Sequence, residues 1–158
     1  MKLNIGCGND FRHGWLNVDC RQLYADSPEF LCRDIVGLER HLEDGMATFI
    51  FARDVLEYLP WREVDAMLAL LGRKLRPGGV LSLRVPDGEQ IARAYMAGTL
   101  THHDAQRLLY GDQGYPEAAL RSLWSAAEIQ RRLGMIGLKV ERLERKGKKL
   151  VVRALRPT

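Results

Sequence analysis

A glycine turn and a series of carboxylates stand at ordered places in this sequence. Gly6-Cys7-Gly8 closes a short apolar run, Lys2–Ile5. Glycines there let the backbone turn tightly and approach a ligand with no Cβ in the way. Asp19 comes thirteen residues after Gly6, at the end of a second run, Leu16–Val18. A carboxylate in that place can accept both hydroxyls of a ribose. Asp34 ends a third run, Phe30–Arg33, and is followed by Ile35. A carboxylate beside an aliphatic residue suits an adenine, one meeting the amino group and the other the ring face. The fourth run, Thr48–Ala52, leads into Arg53-Asp54-Val55-Leu56-Glu57-Tyr58-Leu59-Pro60. If these runs are parallel strands, the four groups converge on one edge of a sheet. A lone GxG is weak, but the ordered set is far more specific than any part. Phe11 breaks the GxGxxG fingerprint of nicotinamide enzymes, and no Walker lysine follows the glycines.

The elements that must position these residues read as an α/β chain. Apolar runs alternate with helical patterns, which argues for a mostly parallel sheet. Three further strands are expected at Val80–Val85, Leu138–Leu143 and Leu150–Leu155. The last two are joined by a hairpin around Gly147. Pro60 stands near a helix start, and Val64, Met67, Leu68, Leu71 and Leu75 then fall on one face. Arg76-Pro77-Gly78-Gly79 is expected to stop that helix and turn into the next strand. Thr99 or Thr101 caps another helix running to about Tyr110. Ser125-Ala126-Ala127-Glu128 is a capping box, with Ile129 and Leu133 behind it. The segment 86–123 is long and rich in polar and aromatic residues. It leaves a strand end where ligands bind in open α/β sheets, so it reads as the substrate-facing insertion of a single domain spanning 1–158.

Composition narrows the classes. The 158 residues are 46% hydrophobic and 28% charged, the profile of a globular domain rather than a disordered or collagen-like chain. No apolar run approaches the roughly 18–20 residues of a membrane span. The N-terminus reads as entering a strand at once, so no signal peptide is expected. Cys7, Cys20 and Cys32 are odd in number and lack CxxC spacing, so they read as reduced thiols of a cytoplasmic protein. His13 and His41 lack partners at ligand spacing, so no metal is expected. From Lys139 onward eight Lys and Arg face two Glu, a net +6, while the first 138 residues carry −2. A basic end of this kind is either a solvated hairpin or a surface for phosphate, nucleic acid or anionic lipid.

At this point the chain resembles the class I S-adenosylmethionine-dependent methyltransferases, and among them the small bacterial type 11-like members. The resemblance rests on Leu3–Asn9, Gly14–Asp19, Asp34-Ile35, Val55–Tyr58 and Leu75–Asp87, and it extends to Trp124-Ser125 and the stretch from Leu133 to Leu138. It implies a three-layer Rossmann-like methyltransferase fold, with a seven-stranded mostly parallel sheet and a C-terminal antiparallel hairpin. It also implies S-adenosylmethionine as cofactor and S-adenosylhomocysteine as product. Gly6, Cys7 and Gly8 would pass the methionine end over their backbone. Asp19, with Cys20 beside it, would hold the ribose. Asp34 and Ile35 would hold the adenine, and Arg53 and Asp54 would lie near the sulfonium and the amino-acid moiety.

The chain also departs from that family. Asn4 replaces an acidic residue two before the first glycine, Asp10 the third glycine of the longer motif, Tyr58 a histidine, and Thr48 an acidic strand start. Leu120-Arg121 stands where a His-Arg pair is often found. Only about ten residues separate Ile5 from Leu16, whereas a parallel crossover takes a dozen or more, usually with a helix. The family's first helix is therefore expected to be absent or reduced to a turn around Asp10–His13.

Methyl transfer from a sulfonium is an in-line displacement, so alignment and exclusion of water are the main tasks. A hydroxyl acceptor also needs a base. His102, His103 and Asp104 are the candidates, with Tyr58, Tyr95 and Tyr110 as positioning groups. The favoured reading is a methyltransferase acting on a small molecule or glycan, with a homodimer closing a minimal site. The alternatives are an RNA or protein methyltransferase using the basic hairpin, and a non-catalytic partner of the same fold.

Overall fold

The computed structural model describes the backbone of residues 1–158 and the side chains of all but Val36 and Pro116. Seven strands form one sheet: β1 (Lys2–Ile5), β2 (Leu16–Asp19), β3 (Phe30–Cys32), β4 (Ala47–Arg53), β5 (Leu75–Pro86), β6 (Lys139–Lys146) and β7 (Lys149–Leu155). Their spatial order is β3-β2-β1-β4-β5-β7-β6. The first five pair in parallel, and β7 runs antiparallel to both β5 and β6. All seven expected strands are present, as is the hairpin, which turns at Gly147 with φ +60°.

The helices are α1 (Val64–Lys74), α2 (Gly88–Met96), α3 (His102–Tyr110) and α4 (Ala126–Met135). α1 buries the stripe Val64, Met67, Leu68 and Leu71 against the sheet. Leu68 and Leu71 are fully buried, each worth about 1.5–3 kcal/mol of transfer free energy. Pro60 lies before the helix, in a turn closed by the Glu63 N–H on its carbonyl. Three caps hold the other helices: Asp87, Thr101 and Ser125 each accept from the backbone N–H three residues on. At Ser125 the reciprocal half of the capping box differs from expectation, because the Glu128 carboxylate turns instead to Arg131 and Arg132.

Two differences from the sequence reading have plain causes. Arg76–Gly79 is not a turn between helix and strand but the irregular start of β5. Gly78, at φ +73°, donates to the Arg156 carbonyl, and the Arg156 N–H returns to Gly79, so the chain's last residues pin this segment where it bulges against β4. The second difference is α2 itself, which was not expected inside the insertion.

The core lies on one face of the sheet. Leu3, Ile5, Val18, Ile50, Ala52, Leu81, Leu83, Val85, Leu150, Val152 and Ala154 all share that face and the same cluster as α1 and α4. The alternate residues on the other face are mostly polar, charged or aromatic, with the aliphatic Val80, Val151 and Leu155 among them. Neither the β1–β2 crossover nor the β2–β3 crossover contains a helix, so the expected reduction of the first helix is complete and extends to the second crossover. Loops take their place. Phe11 packs against Tyr24 and Tyr24 against Phe30, while Arg12 lies between Trp15 and Phe51.

Candidate functional site

The parallel strands bring their carboxyl ends to one edge, and the expected residues meet there. Gly6 and Gly8 leave β1 with φ of +62° and +49°. At Gly6 a Cβ would stand 2.3 Å from Cγ2 of Val55, so glycine there is demanded by the β4 loop as much as by any ligand. Asp19 ends β2 and is 7% exposed. Its Oδ2 accepts the Gly8 N–H at 2.9 Å, and its Oδ1 accepts from the Arg21 N–H at 3.0 Å and Nε at 3.1 Å. Burial opposes the charge of Asp19, but the hydrogen bonds from Arg21 and Gly8 outweigh it and hold the carboxyl below the usual carboxylate range.

Gly6, Cys7, Asn9, Asp10, Arg53 and Asp54 line one cavity of about 360 Å³, together with Asn4, Arg12, Phe51 and Arg84. Asp54 is a non-glycine residue at φ +53°, a strained conformation of the kind that collects at functional sites. Its carboxylate is held by Arg84 and, at 2.8 Å, by Nζ of Lys149 from the hairpin. Burial again opposes the charge, and the two cations keep the carboxyl low. Glu57, one turn further, is 1% exposed. Its Oε1 lies 3.6 Å from Lys149 Nζ, while Oε2 has no hydrogen-bond partner among the described residues. Burial pushes the Glu57 carboxyl up to about 7. The Cys7 thiol is pushed up to about 11, first by burial and then by Asp19, which favours its protonated form.

The other expected site residues are more scattered. Asp34 is exposed just beyond β3, whereas Ile35 is 8% exposed and packs into the core. Cys20 is exposed beside Asp19, with its Sγ 3.9 Å from Oδ1. Tyr58 is 39% exposed on the loop after β4. His102 and His103 begin α3, which pairs with α2, and Nδ1 of His102 meets the Tyr95 hydroxyl at 3.0 Å. Neither histidine lines the cavity. Segment 121–122 is fixed to the site loop instead: both N–H groups donate to the Glu57 carbonyl, and Ser122 Oγ donates to that of Leu56. Among the described residues no group of three or more His, Cys, Asp or Glu is arranged to hold a metal. A larger cleft of about 510 Å³, between α1 and the C-terminal segment, is lined by no carboxylate or nucleophile among the described residues.

Sequence reasoning missed Arg21, Arg84, Lys149 and Glu57. Arg84 did carry a signal: a cation between the apolar Leu83 and Val85 faces away from the core and needs a carboxylate. Lys149 was counted in a basic run, and nothing in that run's composition marks the one lysine that turns inward.

No family model matches the sequence, and neither does any curated relative. Solved structures do match. The chain superposes on a S-adenosylmethionine-dependent methyltransferase of Methanosarcina mazei with a TM-score of 0.69 at 17% identity, covering 99% of this chain and 92% of that one. A complex of the Haloferax volcanii Trm112 methyltransferase activator with a methyltransferase gives 0.69 at 16%, covering 99% and 82%. The fold is that of the class I S-adenosylmethionine-dependent methyltransferases. A 1,6-didemethyltoxoflavin-N1-methyltransferase of Burkholderia thailandensis, solved with bound 1,6-didemethyltoxoflavin and S-adenosylhomocysteine, matches at 0.66 and 14%, over 99% and 71%. This methyltransferase fold places the glycine turn, Asp19 and the cavity at the carboxyl edge of the sheet, where an open α/β sheet takes its ligand.

Proposed function

We propose that the chain binds S-adenosylmethionine at this edge and transfers its methyl group to an acceptor. Asp19 carries the reading: a buried, ionised carboxylate at the end of β2, anchored to the Gly8 N–H beside a glycine turn, fits a ribose diol. The fit needs one adjustment. Arg21 occupies Oδ1, and its side chain is 49% exposed, so it can swing into solvent and free that oxygen at little cost. The cofactor, when bound, supplies a sulfonium whose methyl carbon is electrophilic and whose thioether leaves readily. The chain's own residues then bind, orient and exclude water. Gly6–Gly8 offer backbone without side chains, and Arg53 and Asp54 give a charged wall to an amino acid's two ends. Arg84 and Lys149 fix Asp54 in place. The α2–α3 histidines take no step in this reading.

Calorimetric titration of S-adenosylhomocysteine into the wild type and into Asp19→Ala tests it. Micromolar binding that the substitution abolishes supports the site. Absence of binding by folded wild-type protein overturns it and favours a non-catalytic partner of the same fold.

A further inference from the structure

The sheet face opposite the core is a surface in its own right. The register aligns Asn4, Phe51, Ser82, Arg153 and Arg142 across five strands, from β1 to β6. Lys2, Phe49, Val80, Leu155 and Lys139 form the next row on one side, and Arg53, Arg84, Val151 and Glu144 the row on the other. The rings there carry cations. The guanidinium carbon of Arg12 is 3.9 Å from the Phe51 centroid and that of Arg53 is 4.9 Å. Arg153 lies over Phe49 at 5.9 Å, and Lys2 over Trp15 at 5.4 Å. Arg12 and Arg153 spend N–H groups on Asp10 and Glu141, whereas the Arg53 guanidinium, with no ion-pair partner among the described residues, keeps its N–H edge for a phosphate.

Carboxylates balance this charge only in part. Asp10, Asp54, Glu141 and Glu144 pair with Arg12, Arg84, Arg153 and Arg142, but no carboxylate is within ion-pair distance of Lys2 or Arg53 among the described residues. Arg142 and Arg153 keep 69% and 47% of their side chains exposed. A second copy packed here would set like charges together. An ordinary protein partner wants an apolar centre depleted of charge, whereas here Phe49, Phe51, Val80, Val151 and Leu155 are bordered by Lys2, Arg53, Arg84, Arg153 and Lys139. The hairpin beside it is less available: Arg145 is held by Asp87 and Glu89, and Lys149 by Asp54 and Glu57. Arg12, Phe51, Arg53 and Arg84 belong both to the face and to the cavity wall, so a chain lying on the face ends at the cavity.

We propose that this open sheet face binds single-stranded nucleic acid, with phosphates on its guanidinium groups and bases against its cation-bearing rings, and leads it to the strand-end cavity. The delivery to the cavity rests on the methyltransferase reading; the binding does not. Fluorescence anisotropy with a labelled oligouridylate of about 12 nucleotides is the test. Binding is expected to weaken steeply with salt, and the double variant Arg142→Glu/Arg153→Glu to weaken it about tenfold or more with a shallower salt slope. Lys2→Glu, alone on a separate strand, weakens it in the same direction should the double variant fold poorly. Lys148→Glu, at the hairpin tip, leaves it nearly unchanged. Binding of S-adenosylhomocysteine to these variants stays at the wild-type value, which separates this test from that of the cofactor site. No binding at low salt overturns the proposal. So does loss through Lys148→Glu alone, equal competition by a polyglutamate peptide (the mark of an acidic protein partner), or a dimer that buries Arg153.

Discussion

The side-chain amide of Asn4 donates to Oδ1 of Asn17 at 2.9 Å, between two neighbouring parallel strands. Both residues are almost wholly buried, at 2% and 0%. The same Oδ1 accepts the Arg12 N–H, and Nδ2 of Asn17 donates to the carbonyls of Arg12, Trp15 and Glu29. Asn4 also donates to the Asp10 carbonyl. Two asparagines thus pin both helix-less crossovers. This explains why an acidic residue would not serve at position 4: a carboxylate has no proton to give Asn17 or Asp10. Asn4→Asp should cost about 2–3 kcal/mol and Asn17→Ala about 3 kcal/mol or more, since each leaves buried partners unsatisfied. Urea unfolding checks both; a midpoint within error of wild type at unchanged slope would remove this role.

Gly6 is held by the loop after β4 as well as by its own dihedral. Gly6→Ala meets Val55 Cγ2 and must keep φ at +62°. The dihedral alone costs roughly 1–2 kcal/mol. Adding Val55→Ala relieves the clash but not the dihedral, so the double variant should recover part of the loss. Denaturant titration of the two singles and the double measures the coupling. Strict additivity would mean that the two residues do not touch.

In the proposed cofactor site, Arg21 holds the oxygen of Asp19 that a ribose would need. Arg21→Ala should therefore tighten S-adenosylhomocysteine binding by about 3–10-fold, on the order of 1 kcal/mol for a half-exposed charged hydrogen bond. Calorimetry reads this directly. Weaker binding in the variant would make Arg21 a ligand contact rather than a competitor.

Much of the fold was legible because the signals are local. Four apolar runs ended by glycine or aspartate, a stripe at helical spacing and two capping residues need no tertiary information to be read. Ten residues between Ile5 and Leu16 are too few for a crossover helix, so its absence was legible by arithmetic. α2 was not, because its cap, Asp87, had been absorbed into the end of a strand motif and the helix buries little more than Ile91. The site divided in the same way. Glycines and carboxylates at strand ends announce themselves. The cations that hold Asp54 come from residues 84 and 149, brought together by the antiparallel insertion of β7 beside β5, and no sequence spacing encodes that pairing.

Glu57 gives the sharpest pH test. Its carboxyl titrates near 4.5 when unfolded and is pushed up to about 7 in the folded chain, by burial first. Between those values the folded state binds the proton that the unfolded state has lost. Stability from this group is therefore full below about pH 4.5, falls as pH rises, and levels off above about pH 7. The full shift would correspond to roughly 3 kcal/mol as an upper bound, which Lys149 at 3.6 Å and local relaxation reduce. Glu57→Gln keeps the shape without the charge. Asp19, Asp54 and Glu128, whose carboxyls are held low, impose the opposite slope but do so equally in both proteins. The difference between the two proteins thus isolates Glu57. The variant should match wild type at about pH 5 and exceed it by about 1–2 kcal/mol at about pH 8, measured by urea unfolding across that range. Parallel curves would mean that Glu57 is ionised at no cost in the folded protein, with Lys149 closing on it as a full ion pair.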